Sequence, residues 1–79
     1  MNDDPKQDKI QAAIRFIADT LDISEDGLDR DSSMDNTTAW DSSEHMNICL
    51  QFEQKFGVPM NMDTITSATS IRALAALIP

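Results

Sequence analysis

The sequence predicts an all-α fold: a small four-helix bundle, three helices longer and one short, with a long loop between the first and the second. Apolar residues recur at helical spacing in three separate stretches, and no stretch alternates with the two-residue period of a strand. The 79 residues suffice for a single apolar core shared by a few helices.

The first helix is expected from about Pro5 to Thr20. Asp4 can cap it, Pro5 fits the first helical position, where the missing N–H would be unpaired in any case, and Gln7 can reach back as the partner of a capping box. Ile10, Ala13, Ile14, Ile17 and Leu21 then recur with the period of one buried face. Residues 22–40 are rich in Asp and Ser, include Gly27, and carry isolated apolar residues at Ile23, Leu28 and Met34. That pattern predicts a long ordered loop pinned by those three side chains.

Asp41, followed three residues later by Glu44, repeats the capping-box spacing, and Ile48, Cys49, Phe52 and Phe56 follow on one face. A second helix of about fifteen residues results. Gly57 suits the left-handed residue that closes it, and Pro59 cannot continue it. Met60 to Ser67 fits a short third helix. Thr69 or Ser67 is expected to cap the last one, with Ile71, Leu74, Leu77 and Ile78 facing inward.

Charge and size narrow the function. Six Lys+Arg against fourteen Asp+Glu give a net charge of −8, which repels nucleic acid and anionic membrane surfaces and attracts proteins with basic patches. A chain of this length holds no deep enzymatic cleft beside its core, so catalysis by the chain alone is not expected. The single cysteine cannot form an internal disulfide, no secretory leader opens the chain, and no apolar run approaches the roughly 20 residues that span a bilayer. A cytoplasmic, monomeric partner of other proteins is the expectation.

Ser42 falls in the first turn of the second helix, at the positive end of its dipole and among free backbone N–H groups, a place that favours an attached phosphate. A serine there more often only satisfies backbone donors. No base stands ready to activate it: His45 lies three residues on along the same helix, and Asp41 is better placed as a cap, so another enzyme would have to do so.

At about 100° per residue, His45, Ile48, Cys49, Phe52 and Phe56 share one sector, with Met46 and Glu53 at its flank. Leu50 points away, among Ser43, Asn47 and Gln54, and is either one of the scattered apolar residues any surface carries or the one apolar contact of a mostly polar docking face. His45 and Cys49 would supply only two metal ligands, and the chain has no other histidine or cysteine, so a packed pair and no metal is expected. Asp22-x-Ser24-x-Asp26-Gly27 opens like a calcium-binding EF-hand loop. Asp29, Arg30 and Ser33 then stand where an apolar residue, a ligand and a bidentate glutamate belong, which leaves a solvated acidic loop.

From Asp41 onward the chain resembles an acyl carrier protein, a family whose Asp-Ser-Leu motif opens the second helix of a four-helix bundle and carries 4′-phosphopantetheine on its serine. Asp41-Ser42 stands for the first two motif residues, and Trp40-Asp41-Ser42 is a frequent variant of that opening. Glu53-Gln54-Lys55-Phe56-Gly57 resembles the acidic end of the family's second helix, and Ser67-Ala68-Thr69-Ser70-Ile71 the start of its last. With the first helix and the long loop in the same order, the resemblance covers nearly the whole chain and implies a single carrier domain over residues 1–79. One position departs: Ser43 stands where the family has leucine or methionine, a side chain that meets the modifying transferase and other partners.

The resemblance implies that a phosphopantetheinyl transferase, with coenzyme A and a magnesium ion, moves the 4′-phosphopantetheine arm onto the Ser42 hydroxyl, with Asp41 as the motif residue beside it. The chain would then carry an acyl intermediate of fatty acid or polyketide biosynthesis as a thioester. An acyl-activating ligase or acyltransferase would load it, and a synthase or other transfer enzyme would use it. Ser43, Glu44, Asn47, Leu50 and Glu53 would meet those partners, the glutamates facing their basic residues. Aminoacyl or peptidyl cargo of a nonribosomal or tailoring pathway, and service as an unmodified scaffold, are the alternatives. His45 and Cys49 are expected at the mouth of any cargo-holding cavity, where the family has aliphatic residues or threonine. A histidine there points to cargo that is short, polar or held outside the bundle; the simpler alternative is that its ring caps the core with one edge in water.

Overall fold

Four helices and a connecting loop make up the computed structural model, which describes residues 5–79. The cap expected at Asp4, and with it the Gln7 capping box, lies outside the described residues. Helix α1 runs over Pro5–Leu21 and α2 over Ser42–Phe56, with 17 and 15 residues. Helices α3, Met62–Ser67, and α4, Ile71–Leu77, have 6 and 7 residues. Among the described residues there is no strand, only one isolated antiparallel bridge between Ser33 and Ser70. None of the described helices is long and apolar enough to cross a membrane.

Both long helices end on a left-handed residue. Gly57 closes α2 with φ 68° and donates its N–H to the Glu53 carbonyl at 2.9 Å. At the end of α1 the same place is taken by Asp22, with φ 59°, while the Ile23 N–H reaches back to the Ala18 carbonyl at 3.0 Å. That closing pattern usually calls for glycine, and aspartate is one of the few substitutes that tolerate it. The helix therefore runs one residue past the expected Thr20.

The loop is ordered from end to end. Ser24 caps a 3-10 turn over Glu25–Gly27, Leu28 is buried, and Ile23 and Met34 are half-buried, so all three apolar anchors pack against the core. Two further ties hold it. Trp40, at its last position, is only 1% exposed. Around the Ser33–Ser70 bridge, Met34 donates its N–H to the Thr69 carbonyl at 2.9 Å, and Ile71 donates to the Ser32 carbonyl at 3.0 Å.

The bridge also resets the start of α4. It holds Ser70 extended, with φ −145° and ψ 162°, so Ser70 and not Thr69 or Ser67 is the cap, its hydroxyl accepting the Ala73 N–H at 3.1 Å. The Thr69 carbonyl is committed to the loop, and Ser67 belongs to α3, where its hydroxyl donates to the Asp63 carbonyl at 2.8 Å. On the short α4, Ile71, Leu74, Ala75 and Ile78 share the buried sector. Leu77, expected inside, lies at the edge of that sector and is half-buried.

Helix α1 is the central element, packed against α4 on one side and α2 on the other. Ala13, Ile17, Ile48, Phe52, Ile71 and Leu74 are fully enclosed. Phe16 meets Phe52 edge-on at 5.5 Å between ring centroids and Phe56 at 5.7 Å, a cluster that locks α1 to α2. With the inner side of α2 fixed, its first turn is presented at the end of the loop.

Candidate functional site

Ser42 is the first residue of α2, and its side chain is exposed, as is that of Ser43. Asp41 supplies the cap: its Oδ1 accepts the Glu44 N–H at 2.9 Å, and its carbonyl accepts the His45 N–H at 2.8 Å. Only this half of the expected capping box is made, because the Asp41 N–H donates no hydrogen bond to the Glu44 carboxylate. The remaining first-turn N–H groups have no partner within the helix, so a serine hydroxyl stands beside spare donors at the positive end of a fifteen-residue dipole.

A cavity of about 380 Å³ adjoins this turn, lined by residues 34–38, Trp40, Asp41 and Ser42. Its wall is rich in hydroxyl and amide groups, from Asn36, Thr37 and Thr38. Asn36 fixes the wall: its Oδ1 accepts the Ser33 N–H at 2.9 Å and the Thr37 hydroxyl at 3.1 Å, and its Nδ2 donates to the Asp31 carbonyl at 3.1 Å.

Behind Ser42 the interior is closed by a buried polar chain. The Trp40 Nε1–H donates to His45 Nδ1 at 3.0 Å, and His45 Nε2 meets the Ile65 carbonyl at 2.7 Å. A carbonyl only accepts, so Nε2 carries the proton; Nδ1 accepts from the indole and carries none. The histidine is thus the neutral Nε2–H tautomer with both nitrogens engaged. It joins the loop, α2 and α3. Among the described residues no buried side-chain nitrogen or oxygen lacks a partner.

His45 is 5% exposed, with both ring nitrogens engaged inside the protein. Neither it nor Cys49 borders the cavity at Ser42 or the two others along α1. The Cys49 sulfur lies 3.6 Å from His45 Nε2, and its burial pushes the thiol above the ordinary range. Because Nε2 is already committed to Ile65, the pair offers no open nitrogen to a metal.

The outer side of α2 carries Leu50, 59% exposed, with Ser43, Asn47 and Gln54 around it, and Met46, 48% exposed, beside them. Glu44 is half-buried and Glu53 exposed. They do not form one acidic patch. Nine residues at about 100° each put them half a turn apart, so Glu53 shares an edge with Met46 and Ser42, whereas Glu44 shares the opposite edge with Gln51 and Lys55. In the acidic loop, the Ser24 hydroxyl is taken up as a cap accepting the Asp26 N–H at 3.2 Å, and Gly27 is not in the left-handed region. Among the described residues no group of three or more His, Cys, Asp or Glu converges as a metal site.

Trp40 and Ile65, the two partners of His45, escaped the sequence reading. Only the pairing of a lone tryptophan at a loop end with a histidine on an apolar helix face signals such a contact. Comparison with protein families matches residues 11–78 to the family described as the phosphopantetheine attachment site. Comparison with curated proteins gives no significant match.

Proposed function

The chain belongs to the phosphopantetheine attachment family, and from that premise we propose that it carries an acyl group as a thioester on 4′-phosphopantetheine joined to Ser42. The observation that supports Ser42 most is its exposed hydroxyl on the first turn of α2, capped by Asp41 and open to the polar cavity of residues 34–42. The spare N–H groups of that turn suit the phosphodiester, and Asn36, Thr37 and Thr38 offer hydrogen bonds to the amides and hydroxyl of the arm. When bound, the group supplies the thiol that holds the cargo.

The chain's own residues orient and present. With both His45 nitrogens engaged, no base faces Ser42, so activation of the hydroxyl falls to a phosphopantetheinyl transferase. The rigid first turn fixes where the arm begins, and tethering raises the local concentration of thioester near each partner's active site. Ser43, Asn47 and Leu50 on the outer side of α2, with Glu53 at one edge of it and Glu44 at the other, meet an acyl-activating ligase or acyltransferase and the transfer enzymes that follow. In this reading the protein is a monomeric, cytoplasmic, single-domain carrier with no catalytic residue of its own.

The interior under α2 is filled by Trp40, His45 and Ile65, which supports cargo that is short or polar and rides outside the bundle. The polar cavity at Ser42 suits an aminoacyl or peptidyl group as well, and that is the second reading. Intact mass after incubation with a broad-specificity transferase and coenzyme A tests carriage, the expected result being a gain of one arm. A protein that gains none would be a scaffold. Loading the modified protein with saturated acyl chains of increasing length tests the cargo: Tm should stay level, and a steady rise with length would reveal an apolar pocket.

A further inference from the structure

We infer that the pocket between α1, α4 and the loop at Arg30 is a socket for a short acidic segment of a partner protein. It has a volume of about 380 Å³ and is lined by Lys9 and Ile10 of α1, Arg30 of the loop, and Arg72, Ala75 and Ala76 of α4. Three of the six Lys+Arg in a chain with fourteen Asp+Glu therefore meet at one depression. They come from three separate elements, so the fold and not the local sequence brings them together.

Arg72 is held in place, its Nη2 on Asp31 Oδ1 at 2.8 Å and its Nε donating to the Arg30 carbonyl at 3.3 Å. Lys9 and Arg30 have no ion pair among the described residues, whereas Arg15, one turn beyond the pocket, pairs with Glu25 at 3.6 Å. Asp31 offsets Arg72, but Lys9 and Arg30 repel each other with no such partner among the described residues, and a carboxylate entering the pocket relieves that repulsion.

The floor selects the kind of anion. Ile10, Ala75 and Ala76 give a bare phosphate nothing to bind, but they hold the methylenes of a glutamate or a flanking leucine. The net charge of −8 acts against a long polyanion such as nucleic acid. A short segment experiences chiefly the charges within a Debye length of about 8 Å. Since no α2 residue lines the pocket, a partner held there leaves Ser42 and the outer side of α2 free. The chain would thus be anchored by one protein through a basic socket while others visit α2.

The test is an amide-resolved NMR titration of the full chain with a pentapeptide alternating leucine and glutamate, the same peptide with glutamine for glutamate, and inorganic phosphate. The acidic peptide should shift the amides of Ile10, Arg30, Arg72 and Ala76 and leave residues 43–56 unmoved, with the glutamine peptide and phosphate far weaker. Lys9→Gln combined with Arg30→Gln should weaken binding about tenfold, as expected for two lost surface charge pairs. Both side chains reach solvent, so the fold should persist, checked by circular dichroism; Arg30→Gln alone serves if the double variant unfolds.

Absence of pocket shifts at millimolar peptide would overturn the inference. Phosphate binding as well as the peptide would make the pocket a small-anion site, and shifts that grow with protein concentration alone would make it a contact between copies of this chain; either result contradicts the docking role. Attachment at Ser42 is read by mass, so the two outcomes are independent.

Discussion

The two sides of the first half of α2 differ sharply in burial. Outward, Ser42, Ser43, Asn47 and Leu50 meet solvent and almost nothing else. Inward, one turn away, His45 is wedged between Trp40 and the Ile65 carbonyl, and Ile48 and Phe52 are fully enclosed. The contrast suits the proposed division of labour: the outside offers the Ser42 hydroxyl to a partner, and the packed inside holds the turn that bears it. On that proposal the helix would present cargo instead of storing it.

Substitutions on the inner side should be costly and those on the outer side nearly silent. The largest effect is expected from Trp40→Ala, which empties the site of the largest enclosed side chain and should cost about 3–5 kcal/mol in urea denaturation. A loss no greater than that of Ser43→Ala would erase the contrast. His45→Phe keeps the bulk but strands the indole N–H and the Ile65 carbonyl, for an expected cost of about 1–3 kcal/mol per unpaired group. The same site has a direct spectroscopic readout: nitrogen NMR should find the proton on Nε2, and a proton on Nδ1 would break the network as drawn.

Cys49 should show a smaller effect, confined to alkaline solution. Its thiol is raised in the folded state by burial, so the unfolded chain loses that proton first. The stabilisation is complete below the unfolded-state value and is lost as pH rises from about 9 through the folded-state value. Denaturation midpoints should fall more steeply above pH 9 in the native chain than in Cys49→Ala, and native-state alkylation should be slow. Parallel pH curves would show that the sulfur reaches water. Smallest of all is Asp22→Gly: relieving the left-handed aspartate should stabilise α1 by about 0.5–1 kcal/mol, partly offset by backbone entropy. A destabilisation would mean that the aspartate side chain supports the turn.

Where local signals coincide, the sequence is easy to read. The bounds of α2 follow from a cap at Asp41, a helical period and a glycine stop, all within seventeen residues, and the same signals mark Ser42 as a first-turn serine. The end of α1 hides because aspartate does the work of glycine there. The cap of α4 is decided by a bridge to Ser33, far away in the chain, so the sequence points to Thr69 or Ser67 until the loop is seen to hold Ser70 extended. The His45 network is invisible for the same reason: Ile65 lies twenty residues on, and a carbonyl leaves no mark in a sequence. The two glutamates of α2 share a charge but not a side, because nine residues at about 100° each set them half a turn apart.

The comparison rests finally on one oxygen. Intact mass of Ser42→Ala and Ser43→Ala, each incubated with transferase and coenzyme A and mapped by fragmentation, tests it most directly. Ser42→Ala should stay at its unmodified mass while Ser43→Ala gains the arm; an arm on Ser42→Ala would contradict the assignment and move the attachment point off the first residue of α2.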